Sequence, residues 1–203
     1  MQSSFSDSEY AAKKKQTRRD HFLSEIEAIA PWLSLLNVIV PHYPVSGKRG
    51  HPPIGLERIL RMYIVQQCFG FSDEGNEDAV YDSQAIRRFV GIDLNREAAP
   101  DATTLLKFRH LLEAHHLTES IFDAINAHLA ERGLFLREDT IVDATLIAAP
   151  PSTKNKKRAR DTEMHQTRKG KQWYFGMKVH IGVNAQSGLV HWSCPNWTDI
   201  VSW

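Results

Sequence analysis

The chain has 203 residues, a mass of 23.2 kDa and a formal net charge of +1. With 42% apolar and 24% charged residues it has the composition of a globular protein, which excludes disordered, collagen-like and disulfide-scaffold classes. The longest apolar run, Trp32 to Val40, is too short to span a bilayer, the start of the chain lacks the pattern of a secretory signal, and Cys68 and Cys194 make no metal spacing; a reducing, cytoplasmic setting is expected.

The chain reads as helices first and strands later. Asp20 can cap a short helix ending before Pro31, with Phe22, Leu23, Ile26 and Ile29 on one face. Residues 41–53, rich in proline and glycine, read as a turn-rich connector. From Ile54, the spacing of Leu56, Ile59, Leu60, Tyr63 and Ile64 predicts a helix that Gly70 can stop. A short acidic helix over 73–81 follows, then one opened by Asp82 that carries Ile86, Phe89 and Val90 and stops at Gly91. Asp101 or Thr103 can cap a helix bearing Leu105, Phe108, Leu111 and Leu112. Thr118 can cap the next, with Ile121, Phe122, Ile125 and Leu129, which Gly133 terminates.

The period then changes. Thr140 to Ile147 is β-branched and apolar, as in a buried strand. Trp173 to Asn184 reads as a second strand, turned by residues 186–188 into a return strand from Leu189 to Trp192. Between them lies a basic stretch. Residues 152–178 hold Lys154, Lys156, Lys157, Arg158, Arg160, Arg168, Lys169, Lys171 and Lys178 against only Asp161 and Glu163. The small overall charge therefore hides an asymmetry of +2 over 1–50, −6 over 51–140 and +5 over 141–203. Such a local excess attracts a polyanion, nucleic acid above all, or is a solvated loop without a partner. The organisation expected is α+β, with an amino-terminal helix and connector over 1–50, a helical domain over 51–135 and a sheet domain over 136–203.

Asp143 lies in the middle of the first strand. An ionised carboxylate is rarely buried unpartnered, because desolvation costs several kcal/mol. It can face the polar side of an edge strand, pair with a Lys or Arg, or bind a metal ion.

Several long blocks carry a resemblance. They are Gly50-His-Pro-Pro-Ile-Gly-Leu-Glu-Arg, Glu77-Asp-Ala-Val-Tyr-Asp-Ser-Gln, Pro100-Asp-Ala-Thr-Thr-Leu-Leu-Lys, the run from Asp143 to Asn155, and Phe175-Gly-Met-Lys-Val-His-Ile-Gly-Val. In this order, from about residue 13 to His191, the chain closely resembles bacterial insertion-sequence DDE transposases of the insertion-sequence-five group. The resemblance implies a helical domain followed by the first strands of a ribonuclease-H-like fold, with Asp143 as the first catalytic aspartate. DDE enzymes cut a phosphodiester with water and join the freed 3′-hydroxyl to target DNA. Two divalent ions about 3.5–4 Å apart hold the reacting oxygens, and carboxylates position the ions. Magnesium prefers such hard oxygen ligands, so Asp143 is the implied metal ligand and Mg2+ the implied cofactor. Lys154, Lys156, Lys157, Arg158, Arg168, Lys169 and Lys171 would contact DNA phosphates without reading sequence. Lys178 and His180 alternate with Met177 and Val179; they face the active site or the DNA, or else solvent. The implied partners are terminal inverted repeats and target DNA, with a second copy or a full-length transposase as a possible protein partner.

After His191 the resemblance fails. Asp199 lies near the place of a second catalytic aspartate, but its context does not match and Pro195 interrupts any strand there; no residue serves as the family's glutamate. The expectation is a carboxyl-terminally truncated transposase, catalytically incomplete by itself. The alternatives are a non-catalytic DNA-binding module, with a helix-turn-helix in 54–90 or 101–132, or an inhibitor of full-length transposase. Arg58, Arg61, Arg87, Arg88, Lys107 and Arg109 could form a local basic patch in the helical half, whereas His110, His115 and His116 read as surface or helix-end histidines rather than metal ligands.

Overall fold

The computed structural model describes residues 15–44, 54–134, 140–149, 164–169, 171–185 and 187–194. The chain divides into two compact units, Met1–Ile125 and Asn126–Trp203. The described part of the first is helical and that of the second carries an antiparallel sheet, so the class is α+β.

The helices are α1 (Arg18–Ile29), α2 (Trp32–Ile39), α3 (Leu56–Phe69), α4 (Asp73–Asp82), α5 (Gln84–Val90), α6 (Ala102–Ala114) and α7 (Leu117–Glu131). Most of the expected helices form, and their starts differ for local reasons. Thr17, not Asp20, is the N-cap of α1. Asp20 is the third helical residue of a capping box, in which the two residues satisfy each other's backbone N–H. Asp82 is the last residue of α4, so its backbone is helical; Ser83, in extended conformation, caps α5 instead. Thr118 lies inside α7, which begins at Leu117 straight after His116, whose φ is +52°. The segment Trp32 to Val40 reads from sequence only as an apolar run. It forms α2, which begins after Pro31 and buries Leu35 and Ile39, one turn apart. Within α1 only Leu23 of the expected apolar face is buried, while Phe22 and Ile29 stay more than a third exposed.

The core of the first unit forms around α3, which packs against α2, α4, α5 and α6. Ile59, Leu60, Met62 and Val65 of α3 meet Leu35 and Ile39, Val80, Ile86 and Val90, and Leu105 and Leu112, all of them buried. Gly70 ends α3 at φ +65° and Gly91 ends α5 at φ +79°, left-handed positions where glycine carries no Cβ penalty. One cation is drawn into this assembly. Arg61 donates from Nε to Glu57 at 3.0 Å, from Nη2 to Glu27 at 2.9 Å, and from Nη1 to the Phe89 carbonyl at 3.1 Å. Its guanidinium lies 4.0 Å from the centroid of the Trp32 ring. Burial works against the Arg61 charge, but the hydrogen bonds and charges of Glu27 and Glu57 outweigh it and hold the pKa above its usual value. Asn76, fully buried on α4, donates to the Met62 carbonyl at 3.0 Å and fixes α4 against α3. No single helix among the described residues is long and apolar enough to cross a membrane.

In the second unit the strands are β1 (Thr140–Ala148), β2 (His165–Lys169), β3 (Gln172–Asn184) and β4 (Val190–Cys194). β1 runs antiparallel to β3, from Thr140 opposite Asn184 to Ala148 opposite Gly176. On the other edge of β3, β2 pairs with its first half and β4 with its second, with a bulge between Gly182 and Val183. β2 was not foreseen, because it lies within the basic stretch; Lys169 opposite Gln172 closes a hairpin with Lys171 in its turn. Asn184 organises the β3–β4 turn, its Oδ1 accepting from the Ser187 N–H at 2.8 Å and hydroxyl at 2.9 Å.

Gly176 stands where β1, β2 and β3 meet. A Cβ there would lie 2.0 Å from the Ile147 carbonyl oxygen, which is backbone and cannot swing away. Gly176→Ala is therefore expected to loosen the sheet by about 1–3 kcal/mol. Hydrogen exchange will show it as faster exchange of β1 and β3 amides, with α3 unchanged. In the first unit, Arg61→Leu removes the ion pairs and the cation–π contact together. Denaturant unfolding should register a loss of about 2 kcal/mol.

Candidate catalytic strand and nucleic-acid surface

Asp143 occupies the fourth position of β1, directly opposite Ile181 of β3. Residues opposite each other in an antiparallel pair share a face, and so do their diagonal neighbours two residues away. The positions around 143 on that face are therefore Ile141 and Thr145 on β1, and Val179, Ile181 and Val183 on β3. None of these positions carries a charged residue. Among the described strands β1 pairs only with β3, which makes it an edge strand.

The same alternation separates the other strand candidates from Asp143. Lys178 stands opposite Leu146 and His180 opposite Ala144, so both positions fall on the face of the sheet away from 143. His180 is buried, with 7% of its surface exposed, so the solvent-facing alternative does not hold for it. Its Nε2 has no hydrogen-bond partner. On β4, Cys194 lies opposite His180 in register.

Of the basic residues, Lys154, Lys156, Lys157 and Arg158 lie outside the described residues. Arg168 and Lys169 are on β2 and Lys171 is in the hairpin turn, so this part of the expected loop is a built hairpin. Arg168 and Lys171 are exposed. Sequence reasoning placed Trp173 in a strand but gave it no role. It is 65% exposed, it lies opposite Arg168, and the Arg168 guanidinium sits 6.0 Å from its ring centroid.

Of the six residues that could form a basic patch in the helical half, Lys107 is exposed and the five arginines are engaged within the unit. Arg58 pairs with Glu97, Arg61 with Glu27 and Glu57, Arg88 with Asp20, and Arg109 with Asp73, while Arg87 donates to the Tyr81 carbonyl. These arginines tie helices together across the sequence. A cleft of about 510 Å3 in this unit is lined by Arg58, Arg61 and Arg88, but also by Asp20, Glu27 and Glu57, so it offers no net positive charge. His110, His115 and His116 are exposed, as expected, and the His115 ring lies against that of His42 with centroids 4.3 Å apart. Among the described residues no three His, Cys, Asp or Glu side chains gather where they could hold a metal ion.

Two families match the chain. Residues 11–111 match the family described as Transposase domain (DUF772), and residues 135–193 match the Transposase DDE domain. The first covers α1 to most of α6, and the second covers the described sheet except Cys194. No solved structure matches the chain significantly. A Transposase domain match followed by a Transposase DDE domain match makes the chain an insertion-sequence DDE transposase-like protein of DNA transposition.

Proposed function

We propose that Asp143 is the first carboxylate of the DDE set and that the sheet is the start of a ribonuclease-H-like domain. The observation that carries this reading is the setting of position 143. It lies in the middle part of a strand that is an edge among the described strands, inside the DDE match. DDE transposases generally use a divalent metal, typically magnesium, for which an aspartate oxygen is a suitable ligand. The described residues do not complete such a centre, since a magnesium ion takes several oxygens and the described strands carry one carboxylate. No catalytic step is therefore assigned to them. The role proposed for Asp143 is to hold one metal ligand position in a transposase of the insertion-sequence-five group, with the rest of the carboxylate set supplied by residues beyond those described.

The basic stretch is assigned to DNA. Lys154, Lys156, Lys157, Arg158, Arg168, Lys169, Lys171 and Lys178 would bind phosphates at transposon ends and in target DNA, without base readout. His180, buried on the face away from Asp143, is assigned to the sheet interior rather than to a phosphate.

Two measurements test these assignments. With magnesium or manganese, the 203-residue chain alone is expected to cut terminal-repeat DNA no faster than its Asp143→Asn variant; cutting that this substitution abolishes would show a complete catalytic set. The triple variant Lys154→Ala/Lys156→Ala/Lys157→Ala should weaken duplex binding equally on repeat-end and random DNA. It should also flatten the slope of log affinity against log salt by about 3. Loss confined to repeat-end DNA would instead mark these lysines as sequence readers.

A further inference from the structure

The β2–β3 hairpin presents an aromatic ring in a cationic setting. Trp173, at 65% exposed, is among the largest apolar side chains left open to solvent, and it sits one residue into β3. Exposing that much indole is unfavourable unless the ring meets something. Across the hairpin Arg168 lies 6.0 Å from its centroid, and Lys171 is exposed in the adjoining turn. From residue 164 to 185 the sequence carries Arg168, Lys169, Lys171 and Lys178 and no Asp or Glu. The occupant that fits is anionic and has flat apolar faces.

DNA has both properties, but a duplex buries the faces of its bases in the stack and shows only their edges in the grooves. An indole gains contact with a base face only where a base is unstacked, and proteins that hold single strands combine aromatic platforms with basic grooves in this way. We propose that Trp173 is a stacking platform for an unpaired DNA base, with Arg168 and Lys171 gripping the neighbouring phosphates. This rests on the DNA-binding reading above and adds to it the state of the DNA that the hairpin selects: melted or single-stranded rather than intact duplex.

The test uses the full 203-residue chain, short oligothymidine and a duplex of equal length, each read by fluorescence anisotropy. A single-stranded probe carrying 2-aminopurine, whose emission falls on stacking, reports the contact directly. Trp173→Ala should weaken single-strand binding by about 5- to 50-fold and abolish the 2-aminopurine quench, with duplex affinity changed by less than about twofold. Trp173→Phe should retain much of both signals, and Lys171→Ala should weaken single strand and duplex alike. Because Trp173 is exposed, these variants should keep the wild-type circular dichroism and melting temperature. Equal losses on both DNAs, no change on either, or a Trp173→Ala effect on self-association instead of DNA would overturn the stacking role while duplex binding leaves the DNA reading intact. No binding to any DNA would overturn both.

Discussion

Every strand of the described sheet is held by β3. β1, β2 and β4 each hydrogen-bond to it and none to another, so the backbone ladder of this single thirteen-residue strand organises the described candidate groups of the second unit. Its two edges divide the labour. One edge takes β1 along nine residues and so positions Asp143; the other is shared end to end by β2 and β4. The glycine at 176 follows from the close approach of the end of β1, whose Ile147 carbonyl oxygen would meet any Cβ there. The pleat does the rest. A period of two sends 143 and 180 to opposite faces although their strands are neighbours.

The helical unit depends on a different kind of constraint. Several of its arginines pair with its own carboxylates, some across long stretches of sequence, such as Arg61 with Glu27 and Arg109 with Asp73. A region of net −6 could have been read as repelling DNA, and its basic residues as exceptions that attract it. The structure gives both a simpler meaning: the charges are largely internal ties around α3, with Arg61 shielded by the Trp32 ring.

Much of this was legible in the sequence. Apolar spacing located most of the helices, and glycine marked the ends of α3 and α5, because only a residue without Cβ takes those left-handed positions cheaply. The N-terminal boundaries were less legible, because Thr17, Ser83 and Leu117 each lay beside a residue of equal or better capping propensity, and the backbone conformation decided between them. α2 was missed because it is only eight residues long and mostly apolar, so that its period, with Ser34 and Asn37 exposed against Leu35 and Ile39 buried, is easily read as a plain apolar run. β2 was missed because His-Gln-Thr-Arg-Lys has no apolar alternation; it is a strand only because β3 is beside it. Asp143 could be singled out from its strand alone, whereas the burial of His180 and the exposure of Trp173 emerge only from tertiary pairing.

The edge position of β1 has a consequence for the life of the chain before it ever meets DNA. Nine residues with backbone donors and acceptors on one side unmatched by any described strand are a template, and Ile141 and Ile147 beside them are more than half exposed. Such an edge recruits whatever extended segment reaches it first. A segment of the same chain that reaches it extends the sheet, whereas a second copy that reaches it joins two chains, the more readily the higher their concentration.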